Sequence, residues 1–165
     1  MRVATGEDGM GSGIKVVMAQ VNVTVGDIPG NTDRVLEAAR EAVSHAIVPY
    51  SEYAVGAAIE TSDGATFTGA NIEIANFSNS LHAEEVALAR AIMAGHTDFE
   101  RIAVASAAED GVTPCGMCRQ TLAEFADAEF TVLVDDPDGP QTHQLEALLP
   151  HSFTGEKIHE HRERP

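Results

Sequence analysis

Apolar residues recur along this chain with two periods, and each change of period marks a new element. The stretch "IKVVMAQVNVTVG" has the β-branched richness of a strand, and "DIPGN" after it carries the Pro-Gly signal of a turn. In "TDRVLEAAREAVSHAIV" the residues Val35, Leu36, Ala39, Val43 and Ile47 share one side of a helix, with Thr32 or Asp33 as cap and Pro49 as stop. "AVGAAIET" and "TFTGANIE", joined by "SDGA", read as two strands in hairpin order. A helix over 81–94 follows, capped by Ser80, with Val86, Leu88, Ala89, Ile92 and Met93 as its apolar face and Gly95 as its end. "RIAVASAA" is a strand, a helix runs from Pro114 through Gln120, Leu122 and Phe125, "FTVLVDD" is a strand, "PDGP" a turn and "HQLEALLP" a short helix. A hairpin followed by strands joined through helices predicts an α/β sandwich on a mixed sheet.

Composition narrows the class. A chain of 165 residues, 44% hydrophobic, holds one domain with a sizeable core and an extra segment at one end. No run reaches the roughly 18 apolar residues that span a bilayer. The start, "MRVATGEDGMGSGIKVVMAQ", has early acids and glycines where a secretory signal needs a basic start and an unbroken apolar stretch, so a soluble cytoplasmic protein is expected. Residues 1–33 are expected to form an extension, partly disordered or adding a strand, ahead of a domain over 34–155 and a mobile tail over 156–165. With 26 acidic against 10 basic side chains the net charge is -16, which repels a phosphate backbone and argues against a nucleic-acid partner. Such an acidic surface, with Lys15 and Lys157 as its only lysines, suits a high-salt cytoplasm.

The chemistry is concentrated at the starts of two helices. Cys115 and Cys118, in "PCGMC", are too few for a disulfide framework, and a CxxC of this kind reads as a metal or redox pair. Three residues apart on a helix, with Pro114 in the first turn, their sulfurs share a face beside the positive end of the helix dipole, which favours thiolates. If His82 joins them, the set is one His and two Cys, the ligand count of a catalytic zinc with one open position. Zn²⁺, two thiolates and a neutral imidazole sum to zero charge, which leaves the metal able to acidify water. Glu84, two residues after His82, is then placed to move the proton without being a ligand.

"HAE" at 82–84 and "PCGMC" at 114–118 together match H-x-E…P-C-x-x-C, the signature of the zinc-dependent nucleobase deaminases. With "VPYSEYAVGAA", "TGANIEIANFSNS", "PCGMCRQTLAEF" and "LLPHSF", the chain from Arg34 to Phe153 resembles the short, single-domain cytidine deaminases. The resemblance implies a three-layer α-β-α sandwich with a mixed sheet of about five strands, one zinc per chain and a homotetramer. It implies hydrolysis of cytidine and deoxycytidine to uridine and deoxyuridine plus ammonia, in pyrimidine salvage, by hydroxide attack on C4. His82, Cys115 and Cys118 would hold zinc and Glu84 would shuttle protons. Asn71, Ile72 and Glu73 ("NIE") would face the ribose, Tyr53 the pyrimidine ring, and Ala83 and the backbone around Thr113 the base, with Phe153 reaching the pocket of a neighbouring subunit. Rival readings are deamination of a nucleoside-like antibiotic of the blasticidin S type and a zinc-binding module without turnover.

Several residues stand outside that pattern. Many relatives of this type have Cys at the position of His82 and Arg at that of Glu85, and the two changes agree, since a neutral imidazole needs no compensating cation. Glu85 is expected to point to solvent, and Ile74 stands where the family often has Asn. His45, His96, His143 and His151 read as surface or cap residues, Phe77 as a core aromatic, and Arg119 as a helix-fixing group. Residues 14–33 resemble the opening strand and turn of nitrilase-type amidohydrolases, without a catalytic set to follow.

Overall fold

The computed structural model describes residues 28–127 and 129–155. The strand expected at 14–26 and the tail at 156–165 lie outside the described residues. Ten elements follow in order: α1 (Ile28–Val43), β1 (Val55–Thr61), β2 (Thr66–Ala70), a 3-10 turn (Phe77–Asn79), α2 (Ala83–Met93), β3 (Phe99–Ser106), α3 (Gly116–Phe125), β4 (Thr131–Val134), β5 (Gln141–Gln144) and α4 (Leu145–Leu148).

The sheet order is β2-β1-β3-β4-β5. β1 pairs antiparallel with β2 and β3, β3 parallel with β4, and β4 antiparallel with β5. Because β2 and β3 both oppose β1, they run parallel to each other, and α2 is the crossover between them; α3 is the crossover from β3 to β4. Two crossovers of the same right-handed sense, stepping the same way across the sheet, put both helices on one face with their N-termini at one end. The packing agrees. Ala83, Ala87, Leu88 and Ala91 of α2 and Leu122 of α3 share a buried cluster with Ala57, Ile59, Ile102, Val104, Val132 and Val134. On the other face Val35, Leu36 and Ala39 of α1 pack on Ala58, Ala103, Ala105 and Leu133. The molecule is thus the expected three-layer sandwich.

Glycine sets the spacing of the layers. A Cβ on Gly56 of β1 would run into the α1 backbone at Ala39 and Val43, and one on Gly69 of β2 into the α2 backbone at Ala83 and Ala87. Across β1 and β3, Glu60 and Arg101 face each other in register and form an ion pair at 2.7 Å, which offsets only part of the cost of taking the charges out of water: burial still pushes the Glu60 carboxyl up.

The structure departs from the sequence reading in four places. α1 begins at Ile28, so "IPGN" at 28–31 supplies its first turn rather than a loop, Thr32 and Asp33 lie inside it, and it crosses the boundary drawn at 33/34. It ends at Val43, six residues before Pro49, and Ile47 instead bridges to Ile72 with its side chain exposed. The buried stripe of α2 is Ala83, Glu84, Ala87, Leu88 and Ala91, because alanines let the helix lie close over Gly69; Ala89 and Met93 face outward. "QTHQ" forms an edge strand where a helix was expected to begin, and His143 sits half-buried in it opposite Val132.

Candidate active site

The two N-termini at one end of the sheet bring the donors together. His82 is the N-cap of α2 and Cys115 the N-cap of α3, both with extended backbone, and Cys118 is the third residue of α3. Neither Ser80 nor Pro114 has the expected role: the Ser80 hydroxyl accepts the Ile74 N–H at 3.1 Å, and Pro114 lies buried just ahead of the cap. The His82 Nδ1 is 3.3 Å from each sulfur and the sulfurs are 3.6 Å apart. A tetrahedral zinc with its usual bond lengths needs edges of about 3.5 Å between N and S and about 3.8 Å between sulfurs. The donor set therefore fits zinc with little adjustment. Among the described residues it is the only group of three or more His, Cys, Asp or Glu side chains able to hold a metal in this way. Burial first, then the Glu84 carboxylate, push the Cys118 thiol far up, a balance that a divalent cation reverses by binding the thiolate.

Glu84 is the second residue of α2, 5% exposed, and burial pushes its carboxyl up. It opens onto a cavity of about 430 Å³ lined also by His82, Ala83, Cys115, Thr113, Tyr53, Asn71 and Glu73. A larger hollow of about 640 Å³ between α3 and α4 touches none of these residues. The expected site residues thus line one cavity, with three exceptions. Cys118 is fully buried beside His82 and Cys115 and is not part of the lining. Ile72 exchanges backbone hydrogen bonds with Leu81 and holds the 71–73 segment in place. Phe153 is 57% exposed beside α3, its carbonyl accepting the Gln120 amide.

Asn71 and Glu73 are held by backbone. Asn71 accepts the Val55 N–H and donates to the Tyr53 carbonyl, each at 2.9 Å. Glu73 Oε2 accepts the N–H groups of Tyr50 and Ser51 at 2.9 and 3.1 Å. The Ser51 hydroxyl and these amides hold its carboxyl below the usual range. Arg119 donates to the carbonyls of Pro114 and Leu148 and to the Thr113 hydroxyl, fixing the approach to Cys115 as expected of it.

Three findings were not anticipated. Glu85 does not extend to solvent; it is half-buried and folds back so that its carboxylate accepts the His82 N–H at 3.4 Å, an N-cap contact outside the donor set. Phe77 is no core aromatic: it is 69% exposed, lines the cavity and meets Tyr50 edge to face at 5.5 Å. Asp110, which no motif marks, accepts the Tyr53 hydroxyl.

Comparison with known proteins decides the family. The family model described as "Cytidine and deoxycytidylate deaminase zinc-binding region" matches residues 30–134. The chain belongs to this family. A cytidine deaminase from Halalkalibacterium halodurans is 38% identical over 126 residues, covering 76% of this chain and 96% of the relative. One from Sporosarcina psychrophila is 33% identical over 129 residues, 78% of this chain and 95% of the relative. The crystal structure of cytidine deaminase from Burkholderia pseudomallei superposes with a TM-score of 0.70 at 35% identity, over 73% of this chain and 98% of that one. As a member of the deaminase family with a fitting His-Cys-Cys set, the protein takes one zinc per chain.

Proposed function

We propose that the protein is a zinc-dependent deaminase of pyrimidine salvage that hydrolyses the 4-amino group of cytidine and deoxycytidine. The observation that carries this reading is one cavity lined by His82 and Cys115 of the donor set, the buried Glu84, Asn71 and Glu73, with the third donor, Cys118, buried beside the other two. Relatives of similar length that carry the name cytidine deaminase support it.

Zinc held by His82, Cys115 and Cys118 supplies a Lewis acid that lowers the pKa of water. The remaining work falls to the chain. A C–O bond forms at C4, the C–N bond breaks, and water and the nucleoside become uridine and ammonia. Glu84 takes one proton from the attacking water and delivers it to ring N3, then takes the second from the new C4 hydroxyl as it becomes a carbonyl and passes it to the leaving amine. Ala83 and Thr113 meet the base through their backbones, and Tyr53 walls the ring. The Glu73 carboxylate, held ionised by the Ser51 hydroxyl and two amides, accepts from the sugar hydroxyls that cytidine and deoxycytidine share. Among the described residues no Arg or Lys lines the cavity, so a 5′-phosphate would meet Glu73 with no cation to receive it.

Exposed apolar side chains, Tyr50, Phe77, Met117, Phe125 and Phe153 among them, favour assembly of copies, here a homotetramer in which Phe153 reaches a neighbour's cavity. The test is a panel of initial rates with cytidine, deoxycytidine, deoxycytidylate and blasticidin S, run beside light scattering. The expected outcome is turnover of both nucleosides by a species of four chains. Preference for deoxycytidylate or blasticidin S would overturn the substrate assignment.

A further inference from the structure

Asp110 lies in the 107–115 connection between β3 and α3, flanked by two residues in the left-handed region, Glu109 (φ 49°) and Gly111 (φ 67°). A non-glycine residue in that region is uncommon and needs support from its surroundings. The turn brings the Asp110 carboxylate to the tip of Tyr53. The phenol's one proton is shared between oxygens at 2.8 and 2.6 Å, and the hydroxyl of buried Ser106, at the end of β3, donates to the same carboxylate at 2.7 Å. Tyr53 and Ser106 hold the Asp110 carboxyl below its usual range. At the other end of the residue, the Tyr53 carbonyl is held by Asn71 and its N–H by the Ser51 hydroxyl at 3.0 Å. The ring is thereby pinned at backbone and tip, and it forms part of the cavity wall beside Val112 and Thr113.

We propose that Asp110 is a positioning residue for the deamination: by accepting the Tyr53 hydroxyl it fixes the ring as a wall of the substrate cavity and ties that wall to the connection that delivers Thr113 and Cys115. This rests on the cytidine reading of the cavity given above. A phenylalanine at 53 would be anchored through its backbone alone, and substrate would have to order the ring on binding. That ordering weakens binding by roughly two- to tenfold. The ring touches the base and not the reacting proton, so the loss falls on KM and leaves kcat nearly unchanged.

The experiment compares wild type with Tyr53→Phe, Asp110→Ala, Asp110→Asn and the double variant Tyr53→Phe/Asp110→Ala. Readouts are KM and kcat for cytidine per zinc-bearing chain, thermal midpoint, and ultraviolet titration of the phenols, which is legible because the chain has two tyrosines and no tryptophan. Tyr53→Phe and Asp110→Ala are each expected to raise KM by roughly two- to tenfold, with the double variant no worse than the worse single one. Asp110→Asn, which keeps an acceptor oxygen, restores most of the loss. Asp110→Ala also lowers the titration midpoint of the Tyr53 phenol. Should Asp110→Ala not fold, Tyr53→Phe and Asp110→Asn carry the same comparison. Unmoved KM in an active protein, a fall in thermal midpoint alone, or single effects that multiply in the double variant overturn this proposal alone. Wild type inert towards cytidine overturns the substrate reading and this proposal with it.

Discussion

At the scale of single residues, the chemistry rests on what projects from two helix ends. His82 and Cys115 are caps, so their side chains leave the helices where two crossovers converge, and Glu84 sits one residue into α2 behind them. A group that moves protons without binding the metal is separable from the metal's ligands. Glu84→Gln is therefore expected to lower cytidine turnover by about 10²–10⁴-fold while zinc content stays at one per chain; activity within a few-fold of wild type would remove Glu84 from the proton-transfer role. The donor set and the placement of Glu84 beside it were legible in the sequence because each pair is local, two or three residues apart, and only the approach of the pairs across 33 residues had to come from the fold. Asp110 was not legible, since its partner is 57 residues away and one more acid beside a glycine is unremarked in so acidic a chain. Glu85 was misplaced for a definable reason: with the cap assigned to Ser80, its position three residues after His82 lost its meaning as a capping contact.

Elements are held at their distances by small residues, and those distances place the chemistry. Gly69 lets α2 rest on β2 at the very turn that carries Glu84, while Gly56 does the same for α1 on the opposite face. Overpacking either contact costs about 1–3 kcal/mol, or a fall of about 2–4 °C in Tm per kcal/mol. The two substitutions should nonetheless differ in activity. Gly69→Ala displaces the start of α2 and is expected to cut turnover about 10²-fold, the penalty of a misplacement near 1 Å, whereas Gly56→Ala loses stability with a smaller effect on turnover. Equal losses in kcat, measured on folded, zinc-bearing protein, would contradict this role for Gly69. Buried strands were legible because β1, β3 and β4 are near-continuous apolar runs. β5 was not: "QTHQ" has no apolar alternation, and it is a strand because the exposed edge of β4 supplies its hydrogen-bonding partner.

Over the whole molecule, topology does what no single motif can. Parallel β2, β3 and β4, with two crossovers on one face, bring His82 to Cys115 and Cys118, and the connections around them close the cavity. Among the described residues no Arg or Lys lines this cavity, and described arginines serve the frame: Arg40 pairs with Asp135, Arg101 with Glu60, and Arg119 with carbonyls around α3. No described helix is long and apolar enough to cross a membrane. In the function proposed above, His82, Cys115 and Cys118 hold one zinc whose presence lets Glu84 and the cavity deaminate cytidine. The most direct test of that function is to strip the protein with a chelator, return zinc in steps, and record bound zinc per chain together with the ultraviolet change as cytidine becomes uridine. Turnover should vanish on stripping and rise in proportion to bound zinc until one ion per chain; turnover that survives stripping, or a chain carrying one zinc that leaves cytidine unchanged, would contradict the account.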